Sequence, residues 1–170
     1  MIFVTVGNSI KGVEFHRLIQ KIDEIAKNLK EEVVAQIGFI EQPPQNIRCF
    51  GYLNYVEILR YFQTASLIIG HCGVGTVING LAFRKPIILV PRSKAFGEHL
   101  DDHQHELANK LKGMEGIFVV DDIDDLERTI VHVRSLLEQR RVEPHFSEER
   151  QRLLSFLKSH VQARKTRLGR

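Results

Sequence analysis

One stretch, residues 66–104, restricts the possible folds of this chain more than any other. It begins with an apolar run at residues 67–69, continues through a turn with three glycines and a short helical segment, and reaches a second apolar run at residues 87–90. Apolar runs without polar alternation are typical of strands buried on both faces, as in parallel sheets. The stretch therefore predicts a strand, a helix and a second, parallel strand.

The glycine turn, residues 70–76, has two interpretations. Its glycines permit a sharp bend and leave room for a ligand near the first N–H groups of the following helix, an arrangement that suits a phosphate. A tight turn without a ligand would use the same glycines. Polar side chains in and after the turn favour a ligand, because a turn that needs only flexibility does not require them. These side chains are His71, Thr76, Asn79, His99, His103 and Gln104.

Strands and amphipathic helices alternate along the rest of the chain, and the connections are too long for hairpins. Strands are predicted at residues 2–6, 33–37, 47–50, 67–69, 87–90 and 117–120. Helices are predicted at 13–30, 54–64, from 101 or 102 to about 114, at 124–139 and at 147–163, with a further short helix between the glycine turn and the strand at 87–90. The pattern indicates an α/β protein with a doubly wound, Rossmann-like parallel sheet. Ligands bind such sheets at the carboxyl ends of the strands, so residues 7–9, the glycine turn and residues 92–104 should converge.

Local signals give further expectations for individual side chains. Asn54 is expected to cap its helix, with Val56, Leu59 and either Tyr61 or Phe62 on the inner face. Arg92 has two interpretations, a contact with a phosphate or a partner and the solvated side chain that is usual for a lone loop arginine, and we expect the second. The carboxylate of Glu98 has the default interpretation of a cap for the helix that follows.

Length and composition favour one domain in a reducing compartment. The 170 residues carry a net charge of +3, but residues 138–170 hold nine basic against four acidic side chains, so the preceding part sums to −2. We predict a domain at residues 1–163 and a basic tail at 164–170. The contexts of Cys49 and Cys72 suggest neither a disulfide nor a zinc site, which fits the cytoplasm. The chain begins directly with a strand, without the features of a signal peptide, and has no apolar run near the roughly 20 residues of a membrane span.

Five segments carry recognisable motifs: FVTVG at residues 3–7, HCGVGT at 71–76, KPIILVPR at 85–92, GEH at 97–99 and DHQHELA at 102–108. Together they resemble the donor-binding, C-terminal half of GT-B glycosyltransferases. More narrowly, they are similar to the C-terminal domain of glycosyltransferase family 28, which includes MurG, and to its free-standing relatives. Those relatives are the soluble subunit of the eukaryotic two-part N-acetylglucosaminyltransferase and the bacterial PssE/EpsE-type polysaccharide subunits.

The resemblance implies roles for individual residues in holding a UDP-sugar. The diphosphate would face Gly7, His71, Gly73, Val74, Gly75 and Thr76, and His99 and His103 would belong to the same donor site. Gln104 matches the glutamine that holds hydroxyls of the donor sugar. Asn79 departs from the family, because many members have a glutamate there that accepts both ribose hydroxyls. Tyr52 follows the third strand, where relatives meet the uracil base.

The resemblance also implies what the chain lacks. A GT-B enzyme reacts in a cleft between two domains, and a chain of this length supplies one. A membrane-anchored partner subunit would bind a polyprenyl-diphosphate-linked acceptor and supply the general base, in bacterial exopolysaccharide or capsule synthesis at the cytoplasmic membrane face. The departing UDP would be stabilised by backbone N–H groups and the helix dipole, so no metal or other cofactor is expected.

Other functional classes are weaker. The substitution at Asn79 leaves open a non-catalytic nucleotide-binding or regulatory subunit. A dinucleotide-dependent oxidoreductase is disfavoured because residues 7–9 do not form G-x-G-x-x-G and no acidic residue closes the second strand. Nucleic-acid binding is disfavoured by the near-neutral body and by the lack of a basic patch interleaved with aromatic residues.

Overall fold

The computed structural model describes residues 1–8, 10–139 and 151–159. Six strands form one parallel sheet in the order β3-β2-β1-β4-β5-β6. The strands are β1 (Ile2–Thr5), β2 (Val33–Gln36), β3 (Arg48–Phe50), β4 (Leu67–His71), β5 (Ile87–Val90) and β6 (Ile117–Val119). The predicted α/β class with a doubly wound parallel sheet is confirmed.

The strand order reverses between β1 and β4, and this switch point positions the candidate site. On one side of β1 the chain adds β2 and then β3, and on the other side it adds β4, β5 and β6. The connections after β1 and after β4 therefore lead away from each other and leave a crevice between them. Thr5 lies opposite Gly70 in the register of β1 and β4. Residues just after β1 and at the end of β4 therefore leave the sheet side by side, at the carboxyl edge where such sheets bind ligands.

Helices cover both faces of the sheet because successive strand residues point to opposite sides. Ile2 and Val4 of β1 belong to one core with helices α1 and α5, and Phe3 belongs to a second core with α2, α3, α4 and α6. The helices are α1 (His16–Ala26), α2 (Tyr55–Thr64), α3 (Val74–Ala82), α4 (His103–Leu111), α5 (Leu126–Glu138) and α6 (residues 151–159). Within the described ranges, every helix falls short of the length and apolar character that a bilayer crossing requires.

Several boundaries predicted from the sequence need correction. The helix predicted at residues 13–30 is shorter and spans His16–Ala26, and the one predicted from 101 or 102 to about 114 spans His103–Leu111. Strand β4 runs two residues beyond the predicted 67–69 and ends at His71. The ends of helices and strands fray more easily than their centres, so hydrophobic periodicity predicts the ends least accurately.

Helix α2 confirms one local prediction and contradicts another. Asn54 caps it in a reciprocal capping box with Glu57, as the sequence indicates. Val56, predicted to face inward, is 62% exposed, whereas Phe62 is buried and Ile58 packs against the core. Residues three and four positions before Phe62, which are Leu59 and Ile58, lie on the same face of the helix as Phe62. Val56, six positions before it, lies on the outer face.

The C-terminal predictions are only partly covered by the described residues. Residues 151–159 are helical, and Leu157 is buried against the second core. Both ends of the helix predicted at 147–163 and the basic tail at 164–170 lie outside the described residues, as does Ser9. Cys49 and Cys72 are free thiols.

Candidate functional site

The imidazole of His71 lies between two glycines at the switch point. A Cβ atom on Gly7 would be 2.1 Å from His71 Cε1, and one on Gly73 would be 2.1 Å from His71 Nε2. Real Cβ atoms do not approach so closely, so the ring fills the space that side chains at these two positions would need. Gly7 also has φ +68°, which favours glycine. Gly7, after β1, and Gly73, after β4, therefore leave the space that the His71 ring occupies.

Thr76 connects His71 to the beginning of α3. Its Oγ1 lies 3.1 Å from His71 Nδ1, and the residue is buried. Gly73, the N-cap of α3, makes no side-chain cap, so among the described residues the first N–H groups of the helix are left without a capping acceptor. Gly75, in the first turn of α3, is exposed, and a Cβ there would meet nothing within 4 Å. This end of α3 can receive the oxygen atoms of an anion.

His71 is held neutral by its surroundings. Burial lowers its pKa to about 3, and the nearby charge of Arg92 acts in the same direction, followed by smaller effects of His99 and His103. A hydrogen bond with the backbone of Thr5 opposes the shift. At pH 7 the ring therefore acts as a neutral hydrogen-bonding group, and Arg92 supplies the nearby positive charge.

Arg92 is buried, so the expectation that it is solvated is wrong. It is 3% exposed, and its guanidinium donates to the carbonyls of Val6 and, at 3.3 Å, Asn8. The guanidinium carbon also lies 5.6 Å from the ring centroid of Phe15. Of the buried side-chain polar atoms in the described residues, Arg92 Nε is the one without a hydrogen-bond partner. Arg92 thus ties the loop after β5 to the loop after β1.

Glu98 does not cap α4 and instead pairs with Arg17 of α1. Arg17 Nε donates to Oε1 at 2.8 Å and Nη2 to Oε2 at 2.9 Å, and Nη2 also donates to the carbonyl of Pro91 at 3.1 Å. The backbone N–H of Ser93 donates to Oε2 at 3.0 Å. We call residues 91–102 the charged loop. Sequence reasoning missed Arg17, because no local pattern links residues 81 positions apart.

Gln104 is buried at the start of α4, and its side chain is partly used by the protein. Its Oε1 accepts the backbone N–H of Arg92 at 3.1 Å. The amide therefore also positions the charged loop. The contact of Gln104 with a donor sugar stays a prediction, and the side-chain NH₂ is the group left to make it.

His99 and His103 come together around a residue that the sequence did not single out. Asp101 Oδ1 lies 3.2 Å from His99 Nδ1 and also contacts His103 Nδ1. The two imidazoles meet edge to face, with ring centroids 4.6 Å apart. Both predicted histidines thus form one cluster with Asp101 at the end of the charged loop.

The remaining predicted residues lie around the glycine turn. Asn79 Oδ1, one helical turn along α3, is 3.4 Å from the hydroxyl of Tyr55. Tyr52, after β3, packs edge-on against Phe39 with ring centroids 5.1 Å apart. Val74 is the first residue of α3 and packs partly against the second core. A surface groove of about 820 Å³ lies elsewhere, between residues 11–23 and 39–45, and none of the predicted residues lines it.

Sheet order and the position of these groups define a Rossmann-like α/β domain whose candidate site lies at the switch point. The fold is that of the C-terminal half of GT-B glycosyltransferases. MurG of Acinetobacter baumannii superposes with a TM-score of 0.58 at 17% identity, over 92% of this chain and 49% of that one. The glycotransferase of kitacinnamycin superposes with a TM-score of 0.59 at 18% identity, over 94% of this chain and 39% of that one.

The chain belongs to glycosyltransferase family 28, since the model of the family's C-terminal domain matches residues 1–161. A curated relative from Clostridium tetani (strain Massachusetts / E88) is 28% identical over 96 residues. It is a UDP-N-acetylglucosamine--N-acetylmuramyl-(pentapeptide) pyrophosphoryl-undecaprenol N-acetylglucosamine transferase. The match covers 55% of this chain and 27% of that protein, so this chain corresponds to a fraction of the length of its relative.

Proposed function

We propose that this chain is the donor-binding part of a glycosyltransferase and holds a UDP-sugar at the switch point of its sheet. The observation that carries the proposal is the His71 imidazole, which lies between Gly7 and Gly73 and beside the uncapped start of α3. The glycines keep Cβ atoms away from the crevice, and the first N–H groups of α3 offer hydrogen-bond donors beside the His71–Thr76 pair. A diphosphate has the charge and the acceptor oxygens that this arrangement suits.

The same groups would assist the departure of UDP. Negative charge grows on the leaving diphosphate in the transition state, and fixed donors aimed at that charge lower the barrier. The first N–H groups of α3 and its dipole are such donors, and the buried charge of Arg92 adds to the field. The leaving group therefore needs no metal ion in this proposal.

Residues around the diphosphate would bind the rest of the donor. The side-chain NH₂ of Gln104 would reach the sugar hydroxyls, and His99 and His103 would border the sugar. Asn79 would meet the ribose and Tyr52 the uracil side. The sugar itself is a hexose, a hexuronic acid or an N-acetylhexosamine, since Gln104 would address hydroxyls that these donors share.

A second protein would complete the reaction. The curated relative acts on an undecaprenol-linked acceptor by its name, and this chain covers only 27% of it. We propose that a membrane-anchored partner binds a polyprenyl-diphosphate-linked sugar, supplies the general base and recruits this chain to the cytoplasmic face of the membrane. The product would be a bacterial exopolysaccharide or capsule.

A calorimetric titration with UDP, a panel of UDP-sugars and NAD tests the donor site. We expect UDP to bind, Thr76→Ala to weaken UDP and its sugars by about tenfold, as the loss of one buried hydrogen bond allows, and Gln104→Ala to weaken only the sugar conjugates. Thr64→Ala is the matched control, because Thr64 Oγ1 donates to Arg60 O at the exposed end of α2. Binding of NAD in place of UDP, or equal effects of Thr76→Ala and Thr64→Ala, would contradict the proposal.

One observation supports a second candidate, a nucleotide-binding subunit without transferase activity. Asn79 replaces the family glutamate, and its Oδ1 lies near the Tyr55 hydroxyl, so it is a weaker acceptor for ribose. This alternative predicts that UDP binds but that no sugar is transferred when the chain is co-purified with its membrane partner. Transfer by the complex would exclude it.

A further inference from the structure

Three side chains at the end of the charged loop bring metal-ligand atoms together. One ring nitrogen each of His99 and His103 and a carboxylate oxygen of Asp101 all lie within 4.8 Å of one another. Neighbouring donor atoms around a tetrahedral zinc ion are about 3.3 Å apart when the bonds are 2.0–2.1 Å long. The separation of 3.2 Å between His99 Nδ1 and Asp101 Oδ1 has this value. Small rotations of the exposed His103 and Asp101 side chains would admit an ion.

Hydrogen bonds from backbone N–H groups hold two of the three side chains of the cluster in position. His99 Nδ1 accepts the N–H of Asp101 at 3.3 Å, so this nitrogen is unprotonated, and a bound ion would take the place of this long hydrogen bond. Asp101 Oδ1 accepts the N–H of His103 at 3.2 Å. Asp102 is directed away, because its Oδ1 accepts the N–H of Lys94. An imidazole with an unprotonated nitrogen is the form that binds a metal ion.

The geometry points to a divalent transition-metal site formed by His99, Asp101 and His103. Two imidazoles and one carboxylate suit zinc and its neighbours in the first row, whereas calcium and magnesium prefer oxygen ligands. Three protein ligands leave at least one coordination position open, and the exposure of Asp101 and His103 gives water or a substrate oxygen access to it.

A metal ion here would fix the end of the charged loop to the start of α4. His99 lies in the loop and His103 is the first residue of α4, so one ion would bridge the junction. Gln104 follows directly, and its Oε1 already binds the backbone of Arg92. His99 and His103 are also the residues proposed to border the donor sugar, so the two sites share these side chains. The diphosphate is assigned to the glycine turn, and metal binding can therefore be measured without UDP.

Metal titrations of the purified full chain test this inference. After treatment with EDTA and its removal, we expect one equivalent of Co²⁺ to give the visible absorption of a histidine-bound ion and one equivalent of Zn²⁺ to displace it. His99→Ala and Asp101→Asn should each weaken Zn²⁺ binding by at least about tenfold, since each removes or blunts a direct ligand. Zn²⁺ should also raise the melting temperature of the native chain and not that of the two variants.

His132→Ala is the matched control, because it removes one exposed imidazole of α5 outside the cluster. Zn²⁺ affinity should not change in this variant. The inference is overturned if neither ion binds, or if His99→Ala and Asp101→Asn leave binding unchanged, which would assign it to other surface histidines. Titrating UDP in the presence of EDTA tests the donor site separately, so the failure of one proposal is distinguishable from the failure of the other.

Discussion

The glycine turn and the charged loop lie at the same edge of the sheet, but glycines determine the conformation of the first and long charged side chains that of the second. In the glycine turn, Gly7 and Gly73 leave room for the ring of His71, so the geometry follows from missing side chains. In the charged loop, long side chains fill the space: Glu98 pairs with Arg17 of α1 and accepts a backbone N–H, and Arg92 donates to backbone carbonyls.

The difference predicts different sensitivities. A buried charge that loses its partner is left desolvated and unpaired, which destabilises the whole fold. A glycine that gains a Cβ displaces one neighbour and perturbs the site more than the core. Substitutions in the charged loop should therefore reduce the free energy of unfolding most, and those in the glycine turn should reduce ligand binding most.

Glu98→Ala should have the largest effect on stability. The carboxylate is 4% exposed, and the substitution leaves Arg17 without its bidentate partner and Ser93 N–H without its acceptor. We expect a loss of about 3–5 kcal/mol in the free energy of unfolding, the usual result of breaking a buried ion pair. Urea denaturation followed by circular dichroism measures it.

Glu41→Ala is the control for this prediction. Glu41 pairs with Lys11 at 3.7 Å, but both side chains are about four-fifths exposed, so the substitution should leave the unfolding midpoint unchanged. Glu98→Gln, which retains an acceptor for Ser93, should fall between the two. Equal losses for Glu98→Ala and Glu41→Ala would show that the charged loop is not held as described.

Two glycines of the turn separate stability from binding. Gly73→Ala puts a Cβ 2.1 Å from His71 Nε2 and should cost about 1–3 kcal/mol of stability through forced displacement of the ring. Gly75→Ala meets nothing within 4 Å inside α3 and should stabilise the chain by about 0.5–1 kcal/mol. Both should weaken UDP, because a diphosphate that approaches the helix N–H groups would touch either methyl group.

Gly75→Ala therefore reports on ligand approach without loss of folding. Thermal melts give the stability of each variant, and calorimetry with UDP gives the affinity. If Gly75→Ala kept full affinity for UDP, the diphosphate would not lie against the start of α3, even though Gly73→Ala had weakened binding by moving His71.

The glycine turn could be predicted from the sequence, whereas the contacts of the charged loop could not. The apolar strands, the Asn54 cap and the glycine turn depend on residues a few positions apart, and the structure confirms these elements. The glycine turn could be located because glycine and histidine are informative within a six-residue segment. A tight turn requires particular residue types at neighbouring positions, so it can be recognised in a short segment of sequence.

The charged loop could not be predicted in this way. Arg17 and Glu98 are 81 positions apart, and Arg92 and Val6 are 86 apart, so only the closed sheet brings them together. An arginine in a loop is usually solvated, and that expectation failed because the carbonyls after β1 accept its N–H groups. Asp101 was missed for a related reason, since its role between His99 and His103 depends on how the loop folds back before α4.

The electrostatic link between the two regions gives the smallest predicted effect. Burial and the charge of Arg92 lower the pKa of His71 from 6.5 to about 3, and His99 and His103 contribute further. Between these two pKa values the unfolded chain binds a proton at His71 that the folded chain does not. Stability should therefore be complete above the unfolded pKa and fall as the pH decreases, by about 1 kcal/mol from pH 6.5 to pH 5.5.

Urea denaturation of the native chain and of His71→Gln at both pH values isolates this contribution. Glutamine has no titratable group, so the difference in the free energy of unfolding between the two proteins should change by about 1 kcal/mol over this interval, while effects shared by both cancel. A constant difference would mean that His71 titrates alike in folded and unfolded chains, and hence that burial and the charge of Arg92 do not keep it neutral. Saturating UDP should reduce the change, because the negative charge of a diphosphate beside His71 would raise its pKa towards the unfolded value.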